Sequence, residues 1–198
     1  MNNENIKISD ETLISRYVAG DNSAIEILIN RHKTRIFTYL LMILKNRDLA
    51  EDIFQETFIK IIKSLKRGKY QDNGKFVSWA IRIAHNLVID HYRKMKLMNT
   101  LSNDESDMDI FNSPKFSDSN VEDIMIEDQI TSDVQSLVER LPEDQREVVI
   151  MRHYLDMSFK EIAIATDVSI NTALGRMRYA IINLRKMMKE KDISLSKY

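Results

Sequence analysis

From Asp48 to Leu65 the residues Ala50, Ile53, Phe54, Thr57, Phe58, Ile61, Ile62 and Leu65 recur at steps of three and four. That spacing predicts a helix with one broad apolar stripe. Its opposite face opens acidic with Glu51, Asp52 and Glu56 and turns basic through Lys60, Lys63, Lys66, Arg67 and Lys69. A loop with two glycines, Arg67 to Lys75, leads to a second helix from Phe76 to Lys94 that mixes Trp, Tyr and Phe with Arg, Lys and Asn. Ahead of these, Ser9 or Asp10 is placed to cap a short helix through Val18, stopped by Gly20. Ser23 and Glu26 have the spacing of a capping box for a long helix from Ala24 to about Lys45, with Ile25, Leu28, Ile29, Ile36, Leu40, Ile43 and Leu44 inward. Asp48 is the expected cap of the next helix. The stretch from Asp10 to Lys96 therefore predicts a bundle of about four helices with no strand pattern.

From Met98 to Asp133, Ser, Asn and Asp dominate and Pro114 forbids a continuous helix, so this stretch reads as a linker. Leu141-Pro142-Glu143 is a helix start, with Val148, Met151 and Leu155 on its apolar side. Ser158 and Glu161 form a second capping box, before a short helix lined by Phe159, Ile162, Ala163 and Thr166. Asp167-Val168-Ser169 is the turn. Ser169 then caps a longer helix with Ile170, Ala173, Met177, Ile181 and Leu184 on one side and Arg176, Arg178, Tyr179 and Arg185 exposed. This is the helix-turn-helix pattern. The expected fold is all-α: a helical domain at 10–96, an acidic linker at 97–133 and a second small helical domain at 134–188.

Charge sharpens the picture. The net charge is only -1 over 198 residues, but residues 58–97 carry ten Lys and Arg against two Asp and Glu. Residues 98–133 carry one base against ten acids, and residues 168–191 carry six bases and one acid. Two separated basic patches suit a long anionic ligand. The acidic linker suits either a plain tether or a working role, in a basic channel of a partner or as a shield for the basic patches. The aromatic and basic helix at 76–94 suits unpaired bases, which stack on aromatic faces while cations hold the phosphates.

Other chemistry is thinly supported. With no cysteine there is no disulfide, thiolate metal site or cysteine nucleophile. Of the four histidines, His85 and His91 lie about 240° apart around a helix, and His32 and His153 fall in different domains. No metal, cofactor or acid–base site is expected, and the histidines read as solvated or DNA-facing. The longest apolar run, Ile36 to Leu44, is about half of what a bilayer needs, and no signal pattern opens the chain. The expectation is a cytoplasmic protein without membrane insertion.

Both halves, in this order, resemble the bacterial sigma-70 family, specifically its extracytoplasmic-function (ECF) group. Asp48 to Phe58 is similar to region 2.2, Phe76 to Lys94 to regions 2.3 and 2.4, and Leu141 to Val148 with the following helix-turn-helix to region 4. The resemblance covers about residues 10–96 and 134–188. It implies no enzyme and no cofactor, but binding to core RNA polymerase, direction to promoters and help in melting them. Asp52, Gln55 and Glu56 then correspond to the surface used against the clamp helices of the largest polymerase subunit. Lys69, Phe76, Trp79, Arg82, Asn86, Asp90 and Arg93 fall where the family handles the minus ten element, including the single-stranded non-template strand. Thr172, Gly175, Arg176, Arg178 and Tyr179 match recognition-helix positions at the duplex minus thirty-five element. Leu174 stands where Lys or Arg is frequent, Gly175 where Ser is frequent and Asp167 where Gly is usual, which leaves the promoter sequence open. An anti-sigma factor is a further candidate partner. The competing reading is a helix-turn-helix regulator whose N-terminal bundle senses a ligand or dimerises.

Overall fold

A computed structural model describes residues 8–70, 74–101 and 136–190 of the chain. The described residues are helical, with no strand among them. The chain divides into two compact units, Met1–Asn112 and Ser113–Tyr198. The acidic stretch 102–133, with Pro114, and loop positions 71–73 lie outside the described residues.

The first unit is built from α1 (Asp10–Val18), α2 (Asn22–Leu44), α3 (Arg47–Lys66) and α4 (Phe76–Leu101). Ser9 caps α1, its side chain accepting from the Thr12 amide, and Gly20 follows the helix at φ 108°, where a side chain would be strained. The cap of α2 is Asp21, not Ser23: its carboxylate accepts from the Ser23 amide and is also held by Arg16 at 2.7 Å. A carboxylate that takes both a backbone amide and a guanidinium outcompetes a hydroxyl two residues on, and the helix starts earlier for it. Likewise Asn46, not Asp48, caps α3, through a 3.0 Å bond from the Leu49 amide. The helix α4 continues to Leu101, past the expected end at Lys94.

The core of this unit is the meeting of four apolar stripes. It contains Leu13 and Tyr17 from α1, Leu28, Ile36 and Leu40 from α2, Ala50, Ile61 and Leu65 from α3, and Phe76, Ile81 and Val88 from α4. Two histidines expected at the surface are inside it. His85 shares a 3.2 Å hydrogen bond with the Tyr39 hydroxyl, joining α4 to α2. His32 is buried with its Nε2 2.7 Å from Asp10 of α1, while the same carboxylate takes Arg31 at 2.6 Å. A single carboxylate thus ties α1 to α2. Each ring sits on its helix's apolar side, so burial was a matter of register that residue type alone does not reveal.

The second unit contains a helical turn at 136–138, α5 (Glu143–His153), α6 (Phe159–Ala165) and α7 (Ile170–Glu190). Pro142 opens α5 without a side-chain cap bond, and Ser158 with Glu161 forms the expected capping box of α6. Asp167 makes the turn at φ 54°, a left-handed conformation that Asp tolerates. Ser169 accepts from the Thr172 amide at 3.0 Å and so caps α7. The buried face of α7 is Ala173, Met177 and Ala180. Ile170 and Ile181, expected inside, are exposed. Small side chains at 173 and 180 let α7 sit close on its neighbours, which leaves larger residues at the edges of that face outside the contact.

Asp10→Asn should lower the stability of the first unit by about 1–2 kcal/mol, because Arg31 and His32 lose a shared charged acceptor. Burial acts to raise the Asp10 carboxyl, yet the hydrogen bonds and charges of His32 and Arg31 outweigh it and hold it below its ordinary 3.8. A lowered acid contributes stability above pH 3.8 that is lost as pH falls through the folded value. Denaturant unfolding at pH 7 and in acid should show the variant and parent differing at pH 7 and converging in acid.

Candidate nucleic-acid interface

The residues expected to contact DNA in the first unit separate on the structure into a row and a floor. Trp79, Arg82, Asn86, Asp90 and Arg93 follow one another at steps of three and four along α4, so they share one side of the helix. Arg82, Asn86, Asp90 and Arg93 are exposed and Trp79 is half-buried. Lys69 is exposed at the start of the preceding loop. Within the row, Arg93 lies 3.9 Å from Asp90, a loose surface pair that leaves both groups solvated.

Phe76 is the correction. At 2% exposure it belongs to the core, not to a contact surface. Its ring is packed 5.2 Å from His32, 5.9 Å from Trp79 and 6.1 Å from Tyr70. As the first residue of α4 it is on the helix's inner side with Ala80 and Ile81, and the bundle closes over it. Tyr70, which the sequence reading did not assign, completes the cluster with its ring 4.5 Å from Trp79. A lone aromatic in a loop rich in Gly and Lys was the available signal. Phe76 is the floor, and Tyr70 and Trp79 are the half-exposed rings above it.

On α3, Asp52, Gln55 and Glu56 are exposed, opposite the buried Ala50, Ile53, Thr57 and Ile61. Glu56 pairs loosely with Lys60 at 3.6 Å, and nothing buries Asp52. This is a compact acidic and amide face on the N-terminal half of the helix, past its first turn, where Asp48 is the acid.

On α7 Thr172, Gly175, Arg176 and Tyr179 follow one another at steps of three and four, and Arg178 departs from that side. Positions two apart in a helix are about 200° apart, so Arg176 and Arg178 point to different sides. Arg178 and Tyr179 are exposed, as is Thr172, whose hydroxyl lies 2.9 Å from that of Ser169. Arg176, expected to be exposed, is half-buried with its Nε 3.2 Å from Asp144 of α5. Asn183 donates to Gln145 at 2.8 Å, a second tie between the same two helices. Gly175 is half-buried, and a Cβ there would meet nothing within 4 Å, so packing does not demand the glycine. Among the described residues no three His, Cys, Asp or Glu gather as metal ligands, and no helix is long and apolar enough to cross a membrane.

Comparison with known proteins bears on both units. The family model of sigma-70 region 2 matches residues 28–97, and that of sigma-70 region 4 matches residues 131–174. Together these segments span more than half of the chain. The chain belongs to the sigma-70 family, in its ECF group. The RNA polymerase sigma factor CarQ of Myxococcus xanthus is 26% identical over 185 residues, covering 93% of this chain and all of that one. The ECF RNA polymerase sigma-E factor of Escherichia coli K12 is 25% identical over 178 residues, covering 86% and 90%. The sigma factor RpoE of Bartonella quintana, solved with the anti-sigma factor NepR, superposes with a TM-score of 0.66 at 18% identity, covering 83% and 96%, and shares the fold. The region 4 match stops at Leu174, part-way along α7, so Gly175 and the residues after it in this sigma factor lie beyond what the family model aligns.

The end of α5 that holds Arg176 is acidic. Burial, aided by the charges of Glu147 and Asp144 and opposed by Arg146 and Arg176, pushes the Glu143 carboxyl from an ordinary 4.5 up to about 8. Desolvation here outweighs the pull of the helix N-terminus, which favours the charged form. An acid raised on folding stabilises below its unfolded pKa, and that stability is lost as pH rises through the folded value. Thermal unfolding of the second unit should therefore shift downward between pH 5 and about 8.5, and Glu143→Gln should flatten that slope.

Proposed function

We propose that this sigma factor opens promoters with the exposed row of α4 and the rings of Tyr70 and Trp79 above Phe76. The chain binds core RNA polymerase, directs it to promoters and promotes DNA melting. The observation that carries the residue-level reading is a continuous line of exposed polar side chains, two of them cationic and one an amide, ending at a half-exposed aromatic pair. Arg82 and Arg93 meet phosphates, Asn86 meets a base edge, and Tyr70 with Trp79 offers a stacking surface to a base that has left the duplex. Extruding a base costs a few kcal/mol and stacking on an aromatic ring returns about 1–3, so opening becomes locally feasible without a fuel molecule. Lys69 adds charge at the loop. Asp90 accepts hydrogen bonds and keeps the row from being a uniform cation.

Asp52, Gln55 and Glu56 serve as the face toward core polymerase, and α7 serves as the minus thirty-five helix, with Arg178 in the major groove and Thr172 and Tyr179 beside it. Arg176 we assign to holding α7 on α5, with any phosphate contact made from that position. The reaction needs no cofactor and the chain performs no covalent chemistry of its own. The protein works in the cytoplasm, where the polymerase and promoters are. An anti-sigma factor is a further partner we assign, by analogy with the RpoE protein of Bartonella quintana, which was solved with one.

Each contact is built for a different state of the DNA, and that separates them experimentally. Asn86→Ala should initiate poorly from duplex promoters and recover on a pre-melted bubble. Arg178→Ala should lose about tenfold or more in closed-complex formation, from a base-edge contact of about 1–3 kcal/mol, and should be poorly rescued by the bubble. Single-round transcription with permanganate footprinting of opened thymines measures both. Equal responses of the two variants to the bubble would refute this division of labour.

A further inference from the structure

The core requirement of α7 is met by Ala173, Met177 and Ala180, yet the large apolar side chain of Leu174 is 44% exposed. It lies in a row with Asn171 and Arg178, at steps of three and four, and all three are exposed. Arg176, about 200° away from both Leu174 and Arg178, is held aside by Asp144 and leaves this row clear. Next to Leu174 is Gly175, where an added Cβ would meet no protein atom within 4 Å. The glycine is therefore not a packing necessity. It lowers the helix surface beside Leu174, so that a flat, wide partner reaches the backbone. The surrounding segment 168–191 has six bases and one acid, which favours a polyanion over an apolar protein surface.

We propose that Leu174 reads a thymine in the upstream promoter element through its 5-methyl group. This rests on α7 being the minus thirty-five recognition helix. In the major groove only thymine presents a methyl, and apolar side chains contact it, whereas Arg takes guanine O6 and N7 and Asn takes adenine N6 and N7. A row of Asn171, Leu174 and Arg178 therefore selects an element in which a thymine lies close to a guanine. A Lys or Arg at position 174 would favour guanine there instead, so this one residue changes the element that is read.

The test uses core polymerase loaded with the full chain and duplex DNA whose upstream block is randomised. Selection should enrich an element containing a thymine close to a guanine. Replacing that thymine by deoxyuridine removes only the methyl and leaves the protein unaltered. Binding should weaken about fourfold, the equivalent of one buried methyl. Leu174→Ala should bind the thymine and uracil elements equally, while Arg178→Ala should weaken both and keep the fourfold gap. If an element is enriched and Arg178→Ala weakens it, but uracil at each thymine leaves affinity unchanged, the thymine proposal is overturned and the recognition-helix reading stands. If no upstream element is enriched and Arg178→Ala has no effect, both are overturned.

Discussion

The burial of Phe76 is the contact on which the outward row of α4, the side we propose for DNA, depends. An α-helix turns about 100° per residue, so anchoring one side chain in the core fixes which residues of α4 face outward. With Phe76 under the bundle beside Ala80, Ile81, Ala84 and Val88, the residues left outside are Arg82, Asn86, Asp90 and Arg93. A register change of one residue would rotate that row by about 100°, off the outward side. The anchor is itself held, since Phe76 packs against His32, and His32 is fixed by Asp10 of α1. The short first helix, to which we assign no DNA contact, thereby helps set the geometry of α4.

The second unit meets the same demand with polar ties. Its helix α7 contributes small residues to the core, and Ala173 and Ala180 provide close approach but little rotational definition. The Arg176–Asp144 and Asn183–Gln145 contacts supply that definition from one flank. The Arg176 guanidinium is used to orient the helix, and Arg178 is left as the cation of the outward row. The trade is sensible where phosphate attraction is plentiful, because orientation decides which base edges are met while charge alone does not.

Much of this was legible in the sequence, and the failures share a physical cause. Helix spacing, the Ser158–Glu161 capping box and the Asp167 turn depend on neighbours a few residues away, and each is found in the structure. The α4 row was legible as well, because exposed polar residues at steps of three and four need no tertiary partner. Phe76, His32, His85 and Arg176 were misjudged because their burial depends on residues 46 or fewer positions away in other helices, as with Tyr39 and His85. The caps at Asp21 and Asn46 were missed by two residues because an acidic or amide side chain earlier in the turn took the amide first. Tyr70 became visible as part of the cluster only when the loop was seen to fold its ring onto Trp79.

The central claim is that the outward row of α4 touches DNA strands once they are separated. The direct measurement places the photo-crosslinker benzoylphenylalanine at Asn86, which is exposed, in the full chain bound to core polymerase. The account predicts crosslinks to the non-template strand within the melted segment of an open complex, and their loss when the same promoter is held as a closed duplex. Equal crosslinking to closed duplex, or crosslinking confined to the template strand, would contradict it.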